Sequence, residues 1–143
     1  DINKRKIMLH HSCWRWDELI DKEICNYIIK NTNWDKKEDG SVLSNQGTDK
    51  KINSKIRKTD VVFVDRLSIV GCILHNYIIM ANKFSNWNFD IDNIEEPQIG
   101  RYTTGGHYKF HKDSFAPNNE NMQRKLSAVL FLSDNNTELN QFR

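Results

Sequence analysis

The chain has 143 residues, with 21 Lys and Arg against 19 Asp and Glu, and its net charge of +2 supplies no general field toward nucleic acid or an anionic membrane. Hydrophobic residues at 38% and charged residues at 28% leave enough apolar material for a core, which excludes wholesale disorder and fits a single domain over residues 1–143. No apolar run approaches the roughly 20 residues needed to cross a bilayer and residues 1–6 are charged, so the expectation is a cytoplasmic protein, its Asn-, Lys- and Ile-rich composition suiting a phage or bacterial gene.

Between residues 14 and 32, Leu19, Ile20, Ile24, Tyr27 and Ile28 recur at spacings of three and four, the pattern of an amphipathic helix with Asp17 as its N-cap. The polar stretch 33–58 lacks periodicity and reads as a long loop over a strand or two, either a substrate-facing lid or plain surface. Val61, Val62, Phe63 and Val64 form a short β-branched run, expected as a buried strand over 59–65. A second helix is expected over 66–83, with Leu67, Val70, Leu74, Tyr77, Ile78 and Ala81 on one stripe facing a sheet. Period two then takes over at 98–102, 107–113 and 126–133, with Gly105 and Gly106 as a turn. Helices in front and strands behind give an α+β fold with a mainly antiparallel sheet or barrel. Cys13, Cys25 and Cys72 match neither a zinc knuckle nor a disulfide framework, and Cys25 and Cys72 are expected as buried free thiols.

The chemistry lies in 102–113, Tyr-Thr-Thr-Gly-Gly-His-Tyr-Lys-Phe-His-Lys-Asp. On a strand, residues i and i+2 share a face, so His111 and Asp113 can clasp one ion. An imidazole with a carboxylate suits a borderline divalent metal, and a further histidine would complete a facial triad with positions open to cosubstrate and O2. Alone, His-x-Asp is a common surface triplet. Its setting changes the balance: two tyrosines, a glycine turn between them, and an Arg-led apolar strand from Arg124 onward.

In this pattern the chain resembles the Fe(II) and 2-oxoglutarate-dependent oxygenases of the prolyl 4-hydroxylase superfamily, and looks closest to the microbial PKHD-type hydroxylases. Arg57, Asn82, Trp87 to Asp90, Gln98 and Arg101 fit that branch, so the resemblance covers roughly residues 57–134. It implies a double-stranded β-helix core, jelly-roll or cupin-like, with supporting N-terminal helices. Carried over, His111 and Asp113 are two of three iron ligands, Tyr102 lines the 2-oxoglutarate pocket, Tyr108 faces the substrate side, and Val129 and Phe131 form pocket wall. Phe131 departs from relatives that carry a tyrosine there, since a phenyl ring cannot donate a hydrogen bond to the cosubstrate.

The resemblance also places a distal histidine and a basic anchor for 2-oxoglutarate downstream of Ser133. None of His10, His11, His75 or His107 stands there, and the apolar alternation at 126–132 needs sheet neighbours, so further strands are expected beyond residue 143. Fe(II), 2-oxoglutarate and O2 are the implied cofactor and cosubstrates, with ascorbate as an optional addition. A prolyl or other residue of a protein or peptide is the implied substrate. A nucleic-acid or small-molecule oxygenase and a non-catalytic module retaining the fold remain open alternatives. Beside these stand plainer readings: His107 at a rim or the surface, Arg124 in a local salt bridge, Trp14 and Trp16 packing beside the first helix, and Lys50, Lys51, Lys55, Arg57 and Lys58 as a solvated loop or a greeting for an acidic partner.

Overall fold

A left-handed residue decides where the first helix begins. In the structure, a computed structural model that describes residues 12–43, 50–113 and 123–133, Glu18 has a φ of 54°, which no right-handed helix accommodates. The expected start at Asp17 is therefore lost, and helix α1 spans Lys22–Asn31 with Asp21 as N-cap. The Asp21 carbonyl accepts from Ile24 and Cys25. At the other end Thr32 Oγ1 donates to the Ile28 carbonyl at 2.8 Å. Cys25 and Ile28, three apart, form the buried face.

A 3-10 turn at Trp34–Lys36 leads into four short strands, β1 (Glu38–Asp39), β2 (Ser41–Leu43), β3 (Lys50–Ile52) and β4 (Arg57–Lys58). Stretch 33–58 thus carries more pairing than the strand or two expected of it. Strand β5 (Asp60–Phe63) follows, then helix α2 (Ile69–Phe84), β6 (Gln98–Arg101) and β7 (His107–Tyr108). All pairings are antiparallel: β5 lies between β1 and β6, β2 pairs with β3, and β4 pairs with β7. Adjacent strand residues face opposite sides, yet Val61 and Val62 are both buried, so β5 is covered on both faces. The described residues form an α+β arrangement without a closed barrel.

Helix α2 is well terminated. The Ser68 hydroxyl accepts from Gly71 N at 3.2 Å and Ser85 Oγ, fully buried, donates to the Ala81 carbonyl at 2.6 Å. Val70 and Ala81 of the expected stripe are buried, but Leu67 precedes the helix and is 87% exposed. The core joins Ile28 of α1, Val70 of α2 and Ile99 of β6, with Trp34, Val64, Ile73, Leu74 and Leu132 packed against them. Trp14 and Trp16 pack against Phe84 and Tyr77 of α2, with ring centroids 6.2 and 5.2 Å apart. Two expectations are corrected. Cys72 is exposed. Residues 126–133 lie outside any strand, although Leu132 still reaches the core. Among the described residues no helix is long and apolar enough to cross a membrane.

An ion cluster ties the central sheet together. Asp60 contacts Arg101 at 2.7 Å and Lys37 at 3.2 Å, and the Arg101 guanidinium lies 4.1 Å from the centre of the Trp34 ring. Hydrogen bonds from Arg101 and then Lys37 hold the Asp60 carboxyl below the ordinary carboxylate range. A depressed native value stabilises the fold above the unfolded-state value, and that contribution is lost as pH falls through the native one. Asp60→Asn is therefore expected to lower the urea midpoint at about pH 7, with the gap to the unaltered chain narrowing toward about pH 3. A gap of constant size across that range would show that the charge contributes nothing.

Candidate functional site

The turn between β6 and β7 builds the site's approach. Gly106 N donates to the Thr103 carbonyl at 2.7 Å, and Gly105 at the third position has a φ of 76°, the type II pattern that favours glycine there. Strand β7 then pairs with β4 in a register that sets Arg57 opposite Tyr108 and Lys58 opposite His107. A last rung, Lys109 N to the Ile56 carbonyl at 2.9 Å, closes the ribbon. The strand expected over 107–113 is thus cut to two residues, because its partner β4 is itself only two residues long.

His111 and Asp113 nonetheless converge: Nε2 of the imidazole lies 3.1 Å from the carboxylate Oδ1. An i, i+2 pair needs only local chain direction, not a full ladder. His111 Nδ1 sits 2.8 Å from the Lys109 carbonyl. A carbonyl oxygen can only accept, so Nδ1 carries the hydrogen of that bond and Nε2 is the nitrogen turned toward Asp113. A bare lone pair against a carboxylate oxygen is repulsive, so this contact calls for a proton or a cation between the two. The donor set fits a metal ion, since N and O donors about 2.1 Å from one ion at a right angle stand about 3.0 Å apart. No third His, Cys, Asp or Glu joins the pair among the described residues.

Neighbouring side chains flank the His111 ring and the Asp113 main chain. The Tyr108 ring stacks on the His111 imidazole, with centroids 3.7 Å apart and planes 14° from parallel, and the Arg57 guanidinium lies 4.6 Å from the Tyr108 centroid. Burial raises the Tyr108 phenol above its ordinary value, with Asp113 and Tyr102 adding to the rise and Arg57 opposing it. Arg124 donates to the Asp113 carbonyl at 3.1 Å while gripping Glu95 through two bonds of 2.9 and 2.5 Å, a bidentate local salt bridge of the kind expected of it.

Of the other expected site residues, Tyr102 is 50% exposed just past β6, and Val129 and Phe131, at 69% and 51%, lie on 123–133 outside any strand. A cavity of 280 Å³ opens beside Arg57, between Gly40, Thr59 and Thr103, and neither His111 nor Asp113 lines it. Sequence reasoning missed Glu95 and the Lys109 carbonyl. For Glu95 nothing in the pattern singled it out, and a backbone carbonyl leaves no trace in sequence.

No family model, curated protein or solved structure matches this chain.

Proposed function

We propose that the chain carries part of a non-haem Fe(II), 2-oxoglutarate- and O2-dependent hydroxylase site of the prolyl 4-hydroxylase type, within a jelly-roll domain. The observation that carries the reading is the 3.1 Å approach of His111 Nε2 to Asp113 Oδ1. The Tyr, Gly-turn, Tyr, His-x-Asp order that leads to this pair supports the family choice. When bound, the metal with 2-oxoglutarate and O2 supplies the oxidative step, in which the cosubstrate becomes succinate and CO2 and one oxygen atom enters a substrate C–H bond.

The chain's own residues prepare that step. Lys109, through its carbonyl, keeps the proton on Nδ1 and so leaves Nε2 free to ligate. Arg124 fixes the backbone of Asp113. Tyr108 covers one face of the His111 ring from water. A carboxylate at this ligand position leaves no vacancy for a halide, which favours hydroxylation over halogenation. The resemblance of this pattern to the prolyl 4-hydroxylase type makes a prolyl or other residue of a protein or peptide the favoured substrate.

The test is succinate release from 2-oxoglutarate by the full-length protein with Fe(II) and ascorbate, across peptides, nucleic-acid fragments and free amino acids. Turnover stimulated by a peptide, with a mass gain of one oxygen atom, is expected. Turnover with nucleic acid alone would move the substrate class, and metal binding without any turnover would make the chain a binding module.

A further inference from the structure

We propose that Arg57 and Tyr108 are positioning residues for the metal grip, forming a stack that fixes the plane of the His111 imidazole. The inference rests on the metal reading above. A ring tethered only by Nδ1 to the Lys109 carbonyl can still swing about that bond, which would sweep Nε2 away from Asp113. A parallel aromatic surface at 3.7 Å removes that freedom. The guanidinium at 4.6 Å and the imidazole at 3.7 Å cannot share one face of the phenol ring, so Tyr108 lies between them.

The stack is rooted in the fold rather than adrift on the surface. Arg57 and Tyr108 are direct cross-strand partners in the β4–β7 ribbon. Arg57 also donates to Gln98 Oε1 of β6 at 3.3 Å, which links the central sheet through Arg57 and Tyr108 to His111. Each member suits its place. A planar guanidinium covers an aromatic face as an ammonium does not, so lysine is no equivalent at 57. The Tyr108 hydroxyl takes no part in the stacking, so phenylalanine is an equivalent at 108.

Co(II) binding by the full-length protein, followed by its visible absorption, tests this without reference to turnover. Arg57→Met and Tyr108→Leu are expected to weaken Co(II) by about tenfold and to change the band shape, as loss of a group that orients a ligand does. Tyr108→Phe is expected to restore both to within about twofold of the unaltered protein. His111→Ala, measured alongside, should lose Co(II) altogether. If His111→Ala loses the ion while Arg57→Met and Tyr108→Leu keep it within about twofold, the stack positions nothing and the proposal falls. If His111→Ala keeps the ion, the metal reading itself is at fault and the proposal falls with it.

Discussion

Replacing His111 or Asp113 by alanine is expected to lower Fe(II) affinity by more than about a hundredfold and to abolish 2-oxoglutarate turnover, beyond the ten- to hundredfold that loss of a merely orienting group costs. Each residue supplies one of the two donors that stand 3.1 Å apart. Removing either leaves two donors of the proposed three, too little grip to retain a labile divalent ion. The loss should be local, because both side chains are substantially solvent-exposed and the Ile28, Val70, Ile99 core does not include them. Circular dichroism of the variants should match the unaltered chain, while metal content and succinate release fall together. Normal iron content and turnover in either variant would remove the assignment.

The second large effect concerns Gly71. Helix propensity alone says that alanine inside α2 should stabilise the fold by about 1 kcal/mol. The structure says the opposite. A Cβ at Gly71 would meet the Arg66 carbonyl oxygen at 2.1 Å and its carbon at 2.6 Å. Those atoms are main chain, so relief requires moving the segment that enters the helix, where Leu67 N is already held by Asp65 at 2.6 Å. Overpacking of this kind costs about 1–3 kcal/mol, which outweighs the propensity gain, so Gly71→Ala should be destabilised by roughly 2 kcal/mol in urea unfolding. An unchanged or raised midpoint would mean that the 65–68 turn yields easily.

Legibility in the sequence followed the range of the forces involved. The two helices and strands β5 and β6 were readable because apolar periodicity is a local record of burial; α2, β5 and β6 fall within a few residues of their expected bounds, as does the end of α1. The helix start failed at Glu18, whose left-handed backbone no residue type announced. Stretch 33–58 was opaque because its strands hold two or three residues each, and β1 and β4 rely on partners outside it, β5 and β7. Cys72 was misjudged because an apolar helix has a dry and a wet side, and period alone does not say which side faces the sheet. At the site, His111 and Asp113 were legible from i, i+2 spacing, whereas the Arg57 contact with Tyr108 depends on a cross-strand register that sequence does not print.

That register has a consequence for when the site exists at all. Arg57 and Gln98 are 41 residues apart in sequence, and α2 lies between them. The entropy of closing that loop is lost before any contact in the ribbon repays it, so the stack belongs to the slow, nonlocal end of folding. An ion that needs this arrangement binds the folded chain and not the unfolded one. On the metal reading proposed above, mass action stabilises the fold with the logarithm of free ion once that exceeds its dissociation constant, and the midpoint of unfolding is expected to rise with added metal.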